Sequence, residues 1–309
     1  MSGETLASTL LSGANWLTYL AYLGLTGSVA GQLVILPRAA RHEVNGDPAW
    51  SVVTRRLLGV ATTAALLLLV ASAARLYAQT YSVFGLDEPV TAELLELVAL
   101  QSRWGGQWGP QAIATVMAVC AVLSVRLLPR AGWWLCAFSV AGLAIAFPMT
   151  GHAMAHAGGV ALAWMLQTGH IVAVGLWLGT LTAVFCAVVT LRASPGQDDR
   201  VAALVHAFSP VAIGAVSAVV VTGAGTTVLY LDGWNEFWTT PWGRALVLKV
   251  VLVSATGAVG AYNWRKLRPR LGTSAATGAL MRSSRLELVL GGLVLVVTAI
   301  LVHLPRMDQ

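Results

Sequence analysis

Two histidines and two methionines lie within one short stretch between long apolar segments, which reads Met149-Thr-Gly-His152-Ala-Met154-Ala-His156. Imidazole binds copper in both of its oxidation states, and the thioether sulfur of methionine is a soft ligand that selects Cu(I). His152 and His156 are four residues apart, so in a helix both rings lie on the same face, as in many metal sites with paired imidazoles. The pattern therefore predicts a copper site that includes His152, Met154 and His156.

Two further histidines are candidate ligands. His170 falls inside an apolar run, where an ionisable side chain is costly and indicates a functional site by default. His303 lies at the end of the last apolar run, where a residue of the membrane interface is the simpler interpretation. For the stretch around His152 the competing interpretation is a plain polar connector, because Gly158 and Gly159 also allow a loop. We expect His170 to complete the copper site and His303 to contribute less.

The composition places these residues in a membrane protein. The chain has 309 residues, of which 57% are hydrophobic and only 10% are charged, whereas soluble domains carry about 25% charged residues. Apolar runs of about 20 residues, enough to cross roughly 30 Å of hydrocarbon, recur along the chain. Each run must be helical, because lipid offers no partner to backbone groups. We predict an all-α integral membrane protein with eight transmembrane helices, at about 14–36, 57–79, 108–128, 131–150, 162–191, 205–231, 242–264 and 284–304.

The basic residues predict the orientation of this bundle. Of the 19 Lys and Arg, 14 follow the first, third, fifth and seventh runs, and the positive-inside rule makes that side cytoplasmic. Both termini and the His152–His156 connector then face the periplasm. The first run follows Met-Ser-Gly-Glu-Thr, which carries no positive charge, so we expect it to remain as a helix and not to be cleaved. The basic residues are Arg38, Arg41, Arg55, Arg56, Arg126, Arg130, Arg192, Arg200, Arg265, Lys266, Arg268, Arg270, Arg282 and Arg285.

Charge and motif content exclude other classes. A net charge of +6 would indicate nucleic acid in a soluble protein, but here cytoplasmic loops beside anionic lipid explain it. The three cysteines all fall in predicted spans, so no disulfide framework is expected. They also suggest a weak alternative, a Cu(I) path from Met117 and Cys120 toward Cys136 and Cys186, although buried cysteine usually acts as a small hydrophobe. No phosphate-binding loop is present, and we predict no enzymatic activity.

The chain divides into two predicted regions. Residues 1–160 form an N-terminal four-helix membrane region with an amphipathic helix on the outer surface near 91–100, and residues 161–309 form a C-terminal four-helix region. Among the polar residues in the spans, Arg75 and Lys249 are expected to extend outward to the interface. Glu287 is expected near the cytoplasmic end of the last helix, and Asn263 is expected to hydrogen-bond between helices.

The second region resembles a known family. The resemblance covers about 165–306, with ordered motifs at consistent spacing, whereas the first region matches mainly in topology. The motifs are His170-Ile-Val-Ala-Val-Gly-Leu-Trp177-Leu-Gly179, Phe208-Ser209-Pro210-Val-Ala212, Thr240-Pro-Trp-Gly243-Arg244-Ala-Leu-Val-Leu-Lys249, Gly260-Ala-Tyr-Asn263, Leu267-Arg-Pro269, Ser284-Arg-Leu-Glu287, Thr298-Ala and Leu304-Pro305. In these motifs the chain is similar to the copper resistance protein D family of bacterial inner membranes.

The resemblance implies an eight-helix protein that handles copper, commonly beside or fused to a small periplasmic copper-binding protein of the CopC type. Family members are thought to move copper from the outer side toward the cytoplasm. Both termini are too short for a fused copper-binding β-domain, so we expect a separate CopC-like partner to deliver the ion. Residues and resemblance together predict copper import across the inner membrane, with capture by His152, Met154, His156 and His170.

Two other functions remain open at this point. The first is a haem-binding transmembrane electron carrier, because paired imidazoles between helices also ligate haem. The second is a membrane copper chaperone that does not transport. We also expect contact with membrane lipid and no binding of nucleic acid.

Overall fold

A computed structural model describes residues 3–41, 48–85, 89–151, 160–231, 233–302 and 304. Within these ranges the chain is helical and contains no strand. The α-helices are α1 Gly3–Ala30, α2 Leu36–Ala39, α3 Pro48–Phe84, α4 Ala92–Gln101, α5 Arg103–Ser124, α6 Pro129–Ala146, α7 Val160–Val174, α8 Thr180–Leu191, α9 Asp198–Tyr230, α10 Glu236–Thr239, α11 Pro241–Tyr262 and α12 Ser274–Leu301.

Three π-helical segments interrupt or extend these helices. Gly31–Ile35 joins α1 to α2, Gly175–Gly179 joins α7 to α8, and Asn263–Leu267 follows α11. Short 3₁₀ segments at Phe147–Thr150 and Arg268–Arg270 end two further helices. Four of the eight predicted apolar runs are therefore composite helices and not uniform α-helices.

Seven helices in the described part of the chain are long and apolar enough to cross a membrane: Thr5–Ala39, Pro48–Phe84, Pro129–Thr150, Val160–Leu191, Asp198–Tyr230, Pro241–Arg270 and Ser274–Leu301. These coincide with seven of the eight predicted spans. The remaining predicted span, 108–128, corresponds to α5, which is a helix of 22 residues but is less apolar, since it carries Arg103, Gln107 and Gln111. The count of eight membrane helices is therefore not established by apolarity alone.

The N-termini of α12 and α4 differ in how well they match the sequence-based expectations. Thr273 caps the N-terminus of α12, its hydroxyl accepting a hydrogen bond from the backbone N–H of Ala276. The helix thus begins about ten residues before the predicted start, and Glu287 lies near its middle and not near its end. Thr91 caps α4 in the same way through Leu94 N–H, and α4 lies where a short amphipathic helix was expected.

The N- and C-terminal regions meet where two glycines, Gly27 and Gly179, cross. Gly27 of α1 lies so close to the π-helical segment Gly175–Gly179 that a Cβ atom on it would be 1.9 Å from the carbonyl oxygen of Gly179. A Cβ on Gly179 would in turn lie 2.6 Å from the carbonyl oxygen of Leu23. Small residues allow membrane helices to approach this closely, and close packing is what holds such helices together in lipid.

Burial is uneven between the helices. In the most apolar stretch of Thr5–Ala39, 67% of the residues are buried inside the bundle, against 6% for Pro241–Arg270. The helix α1 is central and packs on α3, α6, α8 and α12, whereas α11 packs mainly on α12 and α10. The apolar face of α11 is consistent with a helix that contacts lipid along most of its length.

Candidate metal centre and the polar core

The structure describes one of the predicted copper ligands. His170 lies in α7, whereas His152, Met154, His156 and His303 lie outside the described residues. Among the residues that the structure does describe, no group of three or more His, Cys, Asp or Glu side chains is placed to hold a metal ion. The four-ligand copper site therefore stays a prediction.

Described residues on both sides of segment 152–159 are tied to the bundle. Before it, Thr150 accepts a hydrogen bond of 2.9 Å from Nη2 of Arg75 in α3. After it, the indole N–H of Trp164 in α7 donates to the carbonyl oxygen of Ile145 in α6 at 3.1 Å. These two bonds fix Thr150 and Trp164, which are described residues on either side of that segment.

Arg75 itself differs from expectation. It does not extend to the interface but is buried, and its guanidinium also donates to Oε1 of Gln111 in α5. Burying a charge without hydrogen bonds is costly, and here neutral oxygens from two other elements provide them. Sequence reasoning missed this cluster, because Gln111 and Thr150 lie 36 and 75 residues from Arg75 along the chain.

The hydrogen-bond partners of His170 favour one tautomer of its ring. Nδ1 lies 3.0 Å from the hydroxyl oxygen of Thr222 in α9. That hydroxyl has its own acceptor, the carbonyl oxygen of Ala218 at 2.6 Å, so its oxygen is left to accept from His170 Nδ1–H. A neutral imidazole that donates through Nδ1 carries its lone pair on Nε2. This is the arrangement of metal-binding histidines, whose second nitrogen is held by a hydrogen bond.

Gly223 of α9 lets the imidazole of His170 pack directly against the helix backbone. A Cβ atom on Gly223 would lie 3.4 Å from Cε1 of His170 and 3.7 Å from Nδ1, so the imidazole packs closely on the backbone of α9. The helices α7 and α9 hold the ring from two sides.

The depth of His170 separates it from the predicted connector ligands. His170 lies ten residues after Val160, where α7 begins, which corresponds to about 15 Å along a helix axis. A metal–imidazole bond is only about 2 Å long. His170 can share an ion with His152 and His156 only if the connector reaches this far into the bundle; otherwise it forms a second, deeper position.

A cation lies near His170. Lys249 of α11 interacts electrostatically with the imidazole. Its charge acts on the candidate ligand, and the outward direction expected from the sequence stays a prediction. A protonated lysine at this position repels any metal cation bound at His170.

A second polar centre joins α11 and α12. The amide Nδ2 of Asn263 donates to Oε2 of Glu287 at 3.1 Å, which confirms the expectation that Asn263 bonds between helices. Both residues belong to motifs that carry the family resemblance. By contrast, the weakly supported line of soft ligands is not formed, because Met117 and Cys120 are exposed on the outside of the bundle while Cys136 is buried.

Comparison with known proteins identifies the family that this chain resembles. The model of the family described as copper resistance protein D matches residues 202–301, and that of the copper resistance protein D-like N-terminal domain matches residues 6–162. The inner membrane protein YebZ of Escherichia coli (strain K12) is 28% identical over 211 residues, which cover 66% of this chain and 70% of that protein. No solved structure matches the chain.

Proposed function

Because this chain belongs to the copper resistance protein D family, we propose that it captures copper on the periplasmic side of the inner membrane and passes it toward the cytoplasm. A location in the inner membrane is supported by the similarity to YebZ and by the seven long apolar helices. Membership of the family indicates that the metal is copper. The residues that bind the ion and the direction in which it moves are proposals based on this chain.

The topology we propose has eight crossings with both termini in the periplasm. Support comes from α5, which packs along α6 and α3 and whose 22 residues correspond to about 33 Å, enough to cross a bilayer. A helix that packs along a membrane-spanning neighbour over this length also crosses the membrane. With α5 included, the basic loops all fall on one side, which the positive-inside rule makes cytoplasmic.

In this topology copper meets two positions in turn. His152, Met154 and His156 capture the ion in the periplasmic connector, and His170 binds it about 15 Å deeper through Nε2. His303 contributes at the outer surface. The observation that carries the proposal is the bond between His170 and Thr222, because it leaves an unprotonated nitrogen on the only described histidine within the outer half of the bundle.

Copper binding to single variants in detergent tests the ligand set. We expect His152→Ala, His156→Ala and His170→Ala to weaken binding sharply, and His303→Ala to have an intermediate effect. His206→Ala is the matched control, because Nδ1 of His206 accepts a hydrogen bond from Arg268 at 3.0 Å and is already occupied. Unchanged binding in a triple variant lacking His152, His156 and His170 would contradict the proposed site.

The stoichiometry of the same titration separates one site from two. If His170 forms a second position, His170→Ala should remove one bound copper and leave the connector ion. If all ligands share one ion, that variant should weaken the only binding event.

Uptake into proteoliposomes tests transport. Accumulation of copper inside vesicles is expected from a transporter, whereas a chaperone binds without accumulation. We also propose a CopC-like periplasmic protein as the donor; addition of copper-loaded CopC should then raise the uptake rate above that with free copper. An absorption spectrum with a haem band that disappears in His170→Ala would instead indicate the electron carrier.

A further inference from the structure

A cavity of about 320 Å³ lies between α8, α9, α11 and α12. Its wall is mostly apolar, and α9 and α11, which line two of its sides, barely contact each other. Arg268 and Met281 line the cavity as well, so it extends toward the end of the bundle that carries the basic loops. The polar residues of the wall are Ser209, Ser217, Asn263, Arg268, Ser284 and Glu287.

Glu287 is the only acidic residue in this wall. Its side chain is 3% exposed, accepts a hydrogen bond from Asn263 and interacts with the indole of Trp177. A Cβ atom on Gly260 would lie 3.0 Å from Oε1, so the absence of a side chain at Gly260 leaves room for the carboxylate. A carboxylate inside a membrane is costly and marks a path for ions or protons.

Asn263 provides the second, independent observation. Its side chain is 9% exposed, and Oδ1 is buried without a hydrogen-bond partner among the described residues. A buried acceptor without a donor costs about 1–3 kcal/mol. An amide can donate through its NH₂ to an ionised carboxylate or accept through its oxygen from a protonated carboxyl group. Asn263 is therefore able to serve Glu287 in both protonation states.

A proton is the cation that this site fits. Hard metal ions such as Ca²⁺ and Mg²⁺ require about six or more oxygen ligands. The wall offers one carboxylate, one amide oxygen and a few hydroxyls, and the hydroxyl of Ser209 already donates to the carbonyl oxygen of Val205. A proton needs a single lone pair of the carboxylate.

Few other charged or titratable groups surround Glu287. The 3₁₀ segment after α11 contributes Arg268, whose Nε donates to His206 of α9. The helix α8 contributes the partly buried Cys186, and on α12 itself Arg285 is exposed. Tyr22 of α1 packs on Phe147, which lies toward the opposite end of the bundle. Among the described residues that line the cavity, Glu287 thus carries the only carboxyl group and Arg268 the only cationic side chain.

We propose that Glu287 exchanges a proton with the cytoplasmic end of this cavity and supplies the negative charge for a copper cation that crosses the inner half of the bundle. The carboxyl O–H bond breaks as the cation arrives, and the proton leaves to water at the cytoplasmic end. When the cation leaves, the carboxylate takes up a proton again, with no change of oxidation state. The copper step rests on the proposed function, whereas the proton exchange does not.

Infrared difference spectroscopy on the full-length protein in nanodiscs tests the proton exchange without copper. We expect a carboxylic acid C=O band whose intensity changes with pH in the wild type, which changes frequency in Glu287→Asp and is absent in the isosteric Glu287→Gln. Glu93→Gln is the control, because hydrogen bonds from the backbone N–H of Glu93 and from the Thr91 hydroxyl lower the pKa of this exposed carboxyl group. No titrating band in the wild type, or one that persists in a folded Glu287→Gln, would overturn the proposal.

Copper uptake by oriented proteoliposomes tests the second step. Acidifying the cytoplasmic side should slow uptake by the wild type, by up to about tenfold per pH unit, the limit for one titrating proton, whereas uptake by Glu287→Gln should not depend on that pH. A wild-type rate that is independent of cytoplasmic pH would overturn the copper step. If the wild type accumulates no copper at all, the proposed transport function fails, while the infrared result still decides the proton exchange.

Discussion

Two buried charges of opposite sign, one in each region, are treated differently by the fold. The guanidinium of Arg75 donates to oxygens on two other elements, Gln111 of α5 and Thr150 of the 3₁₀ segment. The carboxylate of Glu287 has one amide partner that keeps an unused oxygen, and it lies against a cavity. A charge enclosed by fixed acceptors holds elements together, whereas a charge with a free volume beside it can change its state.

The comparison also separates possible cation routes. Arg75 lies next to the segment that leads into the predicted capture connector, and its positive charge opposes entry of a metal cation into the N-terminal region. A path past His170 and then Glu287 stays in the C-terminal region and ends at a negative charge. The comparison therefore favours cation passage through the second region, with the first region as its support.

The largest expected effect comes from breaking the contact between the two regions. Gly27→Ala places a methyl group 1.9 Å from the backbone oxygen of Gly179, so α1 and the π-helical segment must separate. Overpacking of this kind typically costs about 1–3 kcal/mol, and backbone on both sides makes the upper end our expectation. Thermal unfolding in detergent measures it.

Gly13→Ala in the same helix is the matched control, because a Cβ atom there meets nothing within 4 Å. It should leave the unfolding temperature unchanged or raise it slightly. Equal stability of the two variants would mean that the glycine crossing does not hold the regions together.

Removing the charge of Arg75 is the next effect in size. Arg75→Met leaves Gln111 and Thr150 without their donor, and hydrogen bonds to charged groups contribute about 1.5–3 kcal/mol. We expect the free energy of unfolding to fall by about 2 kcal/mol, measured in detergent, with Arg126→Met at an exposed position as the control. Glu287→Gln, which keeps an acceptor for Asn263, should be nearly as stable as the wild type. The reverse order of stabilities would contradict a structural role for Arg75 and a titrating role for Glu287.

Loss of the Thr222 hydroxyl should act on copper and not on folding. Thr222→Val removes the acceptor of His170 Nδ1–H, and changes in such second-layer partners typically reduce metal affinity by 10–100-fold. We expect about a tenfold weaker affinity for the copper bound at His170, measured by titration. Thr222→Ser should restore it.

Thr226→Val, one turn further along α9, is the matched control for that titration. Its hydroxyl donates only to the carbonyl oxygen of Thr222, so copper affinity should not change. An equal loss in both valine variants would assign the effect to the helix and not to the orientation of His170.

The smallest expected effect concerns Lys249. Replacing it by methionine removes a cation that acts on His170, so copper should bind there more tightly. A repulsion of about 1 kcal/mol, the size expected for unit charges about 15 Å apart at an effective dielectric constant of ~20, corresponds to roughly a fivefold gain in affinity. A weaker affinity in Lys249→Met would indicate that the lysine is neutral and supports the site.

The helical class and the positions of seven membrane helices could be predicted from the sequence, because a span needs only a long apolar run and this property is local. The partners of the polar residues could not. The bond between His170 and Thr222 joins residues 52 positions apart, and the burial of Arg75 depends on Gln111 and Thr150. Glu287 was placed too near a helix end, because the polar start of α12 does not look like a membrane span although Thr273 caps it.

The π-helical segment Gly175–Gly179 has a consequence for the spacing of the chain. A π-turn holds one residue more than an α-turn, so relative to a regular helix it is a one-residue insertion. In a regular α-helix that extra residue would rotate everything before it, His170 included, by about 100° relative to α8. The wider turn absorbs the residue locally instead, so His170 keeps the direction it would have in a helix one residue shorter, while Trp177 inside the turn lies beside Glu287.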